Sequence, residues 1–300
     1  MNILIAGGTG FVGKALTTYF TQNGHHMYIL TRNAQKRESD PYVHYIQWLT
    51  VNPIEQLPSI DIVINLAGES INSGRWNEAR KRAIVESRLQ ATNAIYDLIT
   101  NMKQKPSVVI QASAIGIYGT SLDQTFTERN ETTGTDFLAQ TVKRWEEAGR
   151  RMEALGVRTV FMRFGIILGG DGGALPRIVL PYKWFIGGTI GQGNQWMSWV
   201  HMDDVIGAID FSIRHKNISG PINVTAPHPV TMEKFGKAVA NVLQRPHWLP
   251  VPSFVLKVLL GEMSILLLEG QRVIPEKLLQ AGYHFSFPTI DQALANILKS

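Results

Sequence analysis

Residues 2–24 have the sequence NILIAGGTGFVGKALTTYFTQNG, which predicts a strand, a tight turn and a helix in succession. Residues 2–6 form a short apolar run of the kind found in buried strands. The stretch from Phe11 to Asn23 has helical spacing of its apolar residues and stops at Gly24, a residue that commonly follows a helix. A strand followed directly by a turn and a helix is the first unit of a parallel α/β sheet.

The turn between this strand and helix is rich in glycine, with the pattern Gly-x-x-Gly-x-x-Gly. Glycine permits a tight turn and a close approach of the backbone, and the positive N-terminus of the helix can receive a pyrophosphate. A turn that uses glycine for its conformational freedom alone is the alternative, but the flanking elements favour a dinucleotide site. We therefore expect the cofactor to contact Gly7, Thr9, Gly10, Phe11, Val12 and Gly13.

The alternation of strands and helices continues beyond the first unit. It implies right-handed crossovers and a parallel sheet covered by helices on both faces. The predicted fold class is therefore α/β, a Rossmann doubly wound parallel sheet with a smaller, mostly helical C-terminal lobe. We expect a dinucleotide-binding domain over 1–220 and a substrate-side lobe over 221–300, where prolines become frequent. Strands are predicted at 27–31, 60–66, 108–112 and 157–162, and helices at 76–102 and 137–155.

The end of the second predicted strand carries Thr31 and Arg32. NAD-binding sheets usually place an acid there to bind the ribose 2′-hydroxyl, whereas a guanidinium suits a 2′-phosphate. Lys36 and Arg37 follow nearby. The sequence thus favours NADP over NAD, and the alternative is that Arg32 is a solvated surface charge.

Composition excludes several function classes. The chain has no cysteine, so disulfides, thiolate nucleophiles and cysteine-rich metal sites are ruled out, and the eight histidines lack metal-ligand spacing. The net charge of +5 is spread over short basic pieces, which indicates solvated surfaces and no nucleic-acid partner. The sequence has neither a signal peptide nor an apolar stretch long enough to span a bilayer. We expect a cytoplasmic protein with a small-molecule substrate, no metal and no membrane partner.

Several motifs together resemble the extended short-chain dehydrogenase/reductase superfamily. These are Gly7 to Gly13, Asn65-Leu66-Ala67-Gly68, Ser113 to Gly119 and Trp199 to Asp204. Further motifs resemble its atypical branch called nucleoside-diphosphate-sugar epimerase-like, and the likeness covers nearly the whole chain. They are Arg75-Trp76, Ser87-Arg88, Trp145-Glu146, Gly165 to Gly169, Asp171 to Ala174, Gly191 to Trp196, Leu249 to Pro252, Leu267 to Gln271 and Pro275 to Leu278.

The resemblance implies NADP binding, with the loop Leu66, Ala67 and Gly68 lining the ribose and nicotinamide side. It also implies cofactor contacts by Arg88 and Ile167. The residues by themselves leave alternatives open, because Arg88 has the character of an exposed helix charge and Ile167 that of a core residue.

The acid–base pair of the superfamily is missing. Members that transfer a hydride use Tyr-x-x-x-Lys, in which the lysine lowers the pKa of the tyrosine. When the resemblance is aligned through Glu146, those two positions hold Leu138 and Val142, and the helper hydroxyl position holds Ala114. Ser113 lies one residue away, and in a strand that shift points the side chain to the opposite face.

Tyr118 and Ser113 remain as catalytic candidates. Tyr118 is a phenol able to act as an acid or a hydrogen-bond donor, with a packed aromatic as the alternative. For Ser113 the alternative is an ordinary strand-end hydroxyl. The resemblance implies that His201 and Asp203 lie at a strand-to-helix junction and act structurally, and Asp203 fits the role of the helix N-cap. The aromatic and glycine-rich stretch 184–199 is the candidate substrate cover, in which Trp196 and Trp199 either stack on a ring or pack.

Three functions fit these residues. The first is an atypical NADP-dependent oxidoreductase or epimerase that acts on a small polar or nucleotide-linked substrate. The second is an NADP(H)-binding sensor or scaffold with little or no turnover, which the missing lysine favours. The third is a sugar-nucleotide-binding module that does not use nicotinamide, and the intact phosphate turn argues against it.

Overall fold

The structure is a computed structural model that describes residues 1–35, 40–49 and 53–299. Its strands are β1 Asn2–Ala6, β2 His26–Thr31, β3 Val43–Gln47, β4 Ile62–Asn65, β5 Val108–Ala114, β6 Thr125–Phe126, β7 Arg158–Phe164, β8 Ile166–Leu168, β9 Trp196–Met197, β10 Trp199–His201, β11 Gly220–Val224, β12 Val230–Thr231 and β13 Arg272–Val273. Its helices are α1 Phe11–Gln22, α2 Glu78–Asn101, α3 Phe137–Arg150, α4 Leu175–Lys183, α5 Met202–Arg214, α6 Met232–Leu243, α7 Ser253–Leu260, α8 Ile265–Leu268, α9 Glu276–Gln280 and α10 Ile290–Lys299. Short 3₁₀ helices lie at Ile54–Gln56, Ile115–Tyr118, Glu153–Leu155 and Gly261–Ser264.

Within these ranges, seven parallel strands form the main sheet in the order β11-β7-β5-β4-β1-β2-β3. The strand order reverses between β1 and β4, and this is the point where open α/β sheets bind their ligands. The predicted Rossmann fold class is therefore confirmed. The carboxyl end of β1 leads into the glycine turn, and that of β4 leads into the loop at Leu66.

Helices cover both faces of the sheet, and the interior strand β1 is accordingly apolar on both sides. Ile3 and Ile5 pack with Leu16 of α1 and with residues of α5. Leu4 and Ala6, which point the other way, pack with α2. All four of these β1 residues have no exposed surface, as expected for a strand buried on two faces.

A third apolar cluster joins α4, α6 and α10 to the short strands β9 and β10. Its members come from both sides of residue 220; Trp199 and Leu175 pack there with Phe235 and Leu294. The strand β11, which begins at Gly220, is an edge of the main sheet. The division into domains at 220 and 221 stays a prediction. No helix in the described ranges is both long and apolar enough to cross a membrane.

Candidate functional site

The glycine turn after β1 leaves no room for side chains at two positions. Gly7 has φ +82°, and a Cβ added there would lie 2.8 Å from the carbonyl carbon of Leu66. A Cβ on Gly13 would lie 2.2 Å from the carbonyl oxygen of Gly7. The Gly10 amide closes the turn by donating to Gly7 O at 3.0 Å. The sequence therefore requires glycine here for a close approach of three backbone segments.

The first amides of α1 are left without side-chain partners. Gly10 is the N-cap and has no side chain to accept from them, and the first turn of α1 contains no acidic residue. The first helical bond is donated by Lys14 to Gly10 O at 2.9 Å. The amides of Phe11, Val12 and Gly13 thus lie at the positive end of a 12-residue helix, a favourable position for an anion.

Arg32 follows the end of β2 with its side chain exposed. Gln47 fixes its backbone by donating to Arg32 O at 2.6 Å, and Thr31 Oγ1 accepts from the Asn33 amide at 3.3 Å. In the part of the chain that the structure describes, the Arg32 guanidinium has no carboxylate partner. Lys36 and Arg37, which were expected nearby, lie outside the described residues.

The loop after β4 rests on Arg88 of α2. A Cβ on Gly68 would lie 3.1 Å from Arg88 Cγ. Arg88 Nη1 donates to Glu69 O at 3.0 Å and to Ile84 O at 2.9 Å, and the guanidinium lies 5.0 Å from the ring centre of Trp145. Burial, with a smaller effect from Arg80, lowers the pKa of Arg88 to about 10. Arg88 is thus a half-buried, fixed cation, and it stays charged at neutral pH.

A cavity of about 450 Å³, which we call the inner cavity, opens between α1, α2, α3 and β8. Three of the residues predicted to contact the cofactor, Phe11, Arg88 and Ile167, lie on its wall. The glycine-rich segment 169–173 holds the Phe11 ring, because Cβ atoms on Gly169 and Gly172 would lie 2.8 and 2.7 Å from it. These glycines are packed against the site, where they leave room for an aromatic ring.

A second cavity of about 730 Å³, the outer cavity, adjoins the first. Its own wall includes Gln192, Asn194 and Gln195 from the predicted substrate cover, and Ser253 and Lys257 from α7. The two cavities share part of their walls, and we refer to the pair of adjoining cavities as the cleft. The shared residues are Thr120, Asp136, Leu138, Ile265, Glu269 and Gly270.

The two tryptophans of the predicted cover differ. Trp196 lines the inner cavity, and its Nε1 donates to Leu122 O at 2.7 Å while Arg272 lies over its ring. Trp199 is fully buried, and its Nε1 donates to His228 O at 3.3 Å. Trp196 therefore lies on the cavity wall with its N–H already bonded, and Trp199 is a packing residue.

The positions where the superfamily carries its acid–base residues line the inner cavity. Ala114, Leu138 and Val142 are all on its wall. None of these side chains carries an exchangeable proton. The Tyr-x-x-x-Lys pair of the superfamily is thus replaced by Leu138 and Val142 on the wall of the inner cavity.

The candidate catalytic residues Ser113 and Tyr118 lie away from this wall. Strand β5 continues through Ala114, so Ser113 points to the opposite face, where its Oγ donates to Glu146 Oε1 at 2.6 Å. The Tyr118 hydroxyl donates to Asn223 Oδ1 at 2.8 Å and accepts from Arg163 at 2.9 Å. Neither side chain lines the inner or the outer cavity. Burial raises the pKa of Tyr118, although Arg163 acts in the opposite direction.

The cap of α5 differs from the expectation. We expected Asp203 to be the N-cap, but the N-cap is His201, whose Nδ1 accepts from the Asp203 amide at 3.1 Å. The prediction was wrong because α5 begins at Met202, which places Asp203 inside the first helical turn. His201 Nε2 contacts Asn296 Oδ1 at 3.1 Å, so the histidine also ties α5 to α10.

Three polar residues of the shared wall, Thr120, Asp136 and Glu269, were not predicted as site residues from the sequence. Thr120 Oγ1 donates to Glu269 Oε2 at 2.7 Å, and Asp136 Oδ1 accepts from the Leu138 and Ala139 amides at the start of α3. Asp136 stands directly before the predicted helix, which is a capping signal. Thr120 and Glu269 lie 149 residues apart, and no local pattern joins them. Among the described residues, no group of three or more His, Asp or Glu side chains is placed to hold a metal ion.

Comparison with known families decides the membership of this chain. Residues 3–225 match the NAD dependent epimerase/dehydratase family. The chain belongs to this family. Residues 251–297, which include α7 to α9 and most of α10 of this epimerase-family protein, match a domain of unknown function, DUF1731. The resemblance to an atypical, epimerase-like short-chain dehydrogenase/reductase is confirmed.

Relatives of similar length support this membership. The chain is 50% identical over 300 residues to an epimerase family protein of Bacillus subtilis (strain 168), covering 99% of this chain and 98% of the relative. It is 42% identical over 295 residues to an epimerase family protein of Staphylococcus haemolyticus, covering 98% of each.

Solved structures show the same architecture. Human epimerase family protein SDR39U1 (isoform 2) with NADPH superposes with a TM-score of 0.90 at 32% identity and covers 100% of both chains. A nucleoside-diphosphate sugar epimerase from Corynebacterium glutamicum has a TM-score of 0.80 at 32% identity, covering 99% of this chain and 58% of that one. UDP-glucuronic acid 4-epimerase from Bacillus cereus, in complex with UDP-glucuronic acid and NAD, is similar in fold at 16% identity, with a TM-score of 0.81.

Proposed function

We propose that this protein binds NADP(H) and acts as an atypical short-chain oxidoreductase. The glycine turn carries the proposal. A Cβ on Gly13 would lie 2.2 Å from Gly7 O, and the first amides of α1 have no side-chain cap, so the turn fits a diphosphate that approaches the backbone directly. The residues present therefore fit the cofactor that the family implies.

Each part of the cofactor has candidate partners along the switch point. The turn residues Gly7, Thr9, Gly10, Phe11, Val12 and Gly13 would hold the diphosphate. The loop Leu66, Ala67 and Gly68, with Arg88 and Ile167, would hold the ribose and nicotinamide side, where Phe11, Arg88 and Ile167 line the inner cavity. When bound, the cofactor donates or accepts a hydride at its nicotinamide ring.

NADP is proposed over NAD because of Arg32. Its guanidinium is exposed at the end of β2 and has no carboxylate partner in the described ranges, so it is available for a 2′-phosphate. Thr31 lies beside it. The human relative, whose structure is with NADPH, supports this choice.

Proton transfer is assigned to Thr120 and Glu269. The hydroxyl donates to the carboxylate at 2.7 Å, and both residues lie on the wall shared by the two cavities. In the oxidation direction, a substrate hydroxyl loses its proton to Thr120 while the Thr120 proton passes to the Glu269 carboxylate. The substrate carbon gives up a hydride, for which the nicotinamide of bound NADP⁺ would be the acceptor. Reduction is the reverse. The exposed Glu269 then exchanges its proton with water.

The test follows cofactor absorbance with NADPH plus carbonyl compounds and with NADP⁺ plus alcohols and sugar nucleotides. We expect turnover by the wild-type protein, and in Thr120→Val and Glu269→Gln a kcat lower by about 100-fold with unchanged NADPH affinity. Full activity in both variants would contradict the assignment of the proton to this pair.

A second function is favoured by one observation. The apolar wall at Ala114, Leu138 and Val142 suits a protein that binds NADP(H) with little or no turnover and responds by a change of shape or partner affinity. Tight NADPH binding without product on the whole panel, together with altered proteolysis on NADPH addition, would support this sensor function over the oxidoreductase.

A further inference from the structure

We infer that the cleft formed by the two cavities takes a neutral or cationic substrate with an apolar reacting end, and that it rejects nucleoside-diphosphate sugars. This inference rests on the proposed function, since it concerns the substrate that would meet NADP(H). It goes beyond that function by naming the charge and polarity of the substrate.

The charges on the outer wall are mostly negative. The outer cavity is lined by three carboxylates, those of Asp136, Glu262 and Glu269. Among the described residues of its wall, Lys257 is the only cationic side chain. Lys81, which lies outside the cavity, pairs with Glu262. With Glu262 neutralised in this way, two carboxylates remain against one ammonium group. A diphosphate brought to this wall would meet a net repulsion.

Two other positive groups near the cleft are already engaged. The N-terminus of α3 points its first amides at Asp136, whose Oδ1 accepts from Leu138 N at 2.8 Å and Ala139 N at 3.0 Å. The guanidinium of Arg88 on the inner wall is held by the carbonyls of Glu69 and Ile84. Recognition of a diphosphate uses free helix amides or guanidinium forks. At this cleft the first amides of α3 and the Nη1 amine of Arg88 are already engaged in such bonds.

The inner wall is apolar where the reacting carbon would lie. It is formed by Ala114, Leu138 and Val142 from the sheet side and α3, and by Ile265 and Leu266 from α8. A hydroxyl-rich sugar ring placed against these side chains would lose its hydrogen bonds to water without replacement. An alkyl ketone or secondary alcohol would give up few hydrogen bonds to water, and each buried methylene raises the affinity about fourfold.

The test uses four probes on the protein saturated with NADP⁺, so that a carbonyl compound binds without being reduced. Nonan-2-one is neutral, 9-aminononan-2-one is cationic, 8-oxononanoate is anionic, and UDP-glucose is a nucleotide sugar. Calorimetry at fixed ionic strength should show binding of the neutral and cationic ketones, with 8-oxononanoate and UDP-glucose at least tenfold weaker. Shortening the neutral ketone by two carbons should weaken its binding by about 15-fold.

Charge variants check the cause. Glu269→Gln and Asp136→Asn should each reduce, by several-fold, the difference in affinity between the cationic and the anionic ketone. In Asp136→Asn the new side chain can still cap α3, so the helix is retained. Glu153→Gln removes an exposed carboxylate that lines neither cavity and serves as the matched control, which should leave the difference in affinity unchanged.

Three outcomes overturn the inference. They are UDP-glucose or 8-oxononanoate binding as tightly as nonan-2-one, no binding of any ketone, or a difference in affinity unaffected by both charge variants. NADPH is titrated first, in a separate experiment. If NADPH does not bind, the proposed function fails, and the same probes added to the cofactor-free protein still report on the cleft.

Discussion

The guanidinium of Arg163 donates to the hydroxyl of Tyr118 at 2.9 Å, in a region where the two residues are 6% and 5% exposed. The same guanidinium forms a two-pronged ion pair with Glu146, at 2.8 and 2.9 Å, and Glu146 accepts from Ser113. This buried chain of bonds ties α3 to β5 and β7, and it ends at Asn223 of β11. The two candidate catalytic hydroxyls, those of Ser113 and Tyr118, are therefore both engaged in internal hydrogen bonds.

Replacement of Tyr118 tests whether its hydroxyl is structural. Tyr118→Phe removes one donated and one accepted bond, which leaves Asn223 Oδ1 and one Arg163 amine unpaired. We expect a loss of about 1–3 kcal/mol in the free energy of unfolding, with NADPH affinity and turnover within twofold of wild type. Denaturant unfolding and kinetics measure the two effects. Tyr42→Phe, at a 45% exposed ring, is the matched control and should change neither. Lost turnover at full stability would restore a catalytic role for Tyr118.

Removal of the Glu146 charge should be more severe. Glu146→Gln leaves the Arg163 guanidinium buried without its counter-ion, and breaking such a pair costs about 3–5 kcal/mol. The expected result is a sharply lower midpoint of urea unfolding. Glu147→Gln, one residue along the same helix and outside the ion pair, is the control. Equal stability of the two variants would show that the buried pair contributes little.

Exchange of charge at Arg32 tests the preference for NADP. We expect Arg32→Glu to weaken NADPH binding by about 10- to 100-fold, because a charge-assisted bond to the 2′-phosphate becomes a repulsion, with NADH binding equal or tighter. Fluorescence titration of both cofactors gives the ratio. Arg82→Glu makes the same charge change at an exposed site on α2 and should leave the ratio unaltered. If the two variants behave alike, Arg32 is a solvated surface charge.

Acid should destabilise the protein through His201. Burial lowers the pKa of His201 below 6.5, although Asp203 and Asp204 act against this shift. The folded state therefore binds fewer protons than the unfolded state between its own lowered pKa and 6.5. Stability from this group is complete above pH 6.5 and is lost as pH falls through that window. Protonation of Nδ1 would also break the cap that accepts from the Asp203 amide.

The measurement for His201 is the melting temperature between pH 7.5 and 5. His201→Asn keeps a capping oxygen but has no titrating ring. We expect its melting temperature to fall less with acid than that of the wild type. Parallel pH curves for the two proteins would contradict this account of the acid sensitivity.

Local patterns were sufficient to predict the fold. The apolar run at 2–6, the glycine turn and the helix at Phe11 are adjacent in sequence, so their signals needed no tertiary information. Most predicted strand and helix ends differ from the structure by one or two residues, as at α2, where the predicted 76–102 is Glu78–Asn101. The exception is the helix predicted over 137–155, which ends at Arg150 and is followed by a separate 3₁₀ helix at Glu153–Leu155. The cap of α5 was misassigned because a strand residue, His201, supplies the capping atom.

The candidate site was only partly predictable, because its chemistry depends on long-range contacts. Arg88 and Ile167 were expected from the family resemblance, and both line the inner cavity. The pairing of Thr120 with Glu269 brings a turn after β5 to the segment after α8, which no periodicity encodes. The orientation of the Tyr118 hydroxyl depends on hydrogen bonds to Asn223 and Arg163, two residues from later strands. The sequence motif alone therefore left the role of Tyr118 open.

The central claim is that the glycine turn at the tip of α1 binds a dinucleotide, and calorimetric titration of the pure protein with NADPH tests it most directly. We predict saturable binding of NADPH to the wild type and at least tenfold weaker binding to folded Gly13→Ala. Gly170→Ala is the control and should bind NADPH as the wild type does, because a Cβ at Gly170 has its nearest contact at 3.8 Å. A wild-type titration without heat or saturation, or tight binding retained by Gly13→Ala, would contradict it.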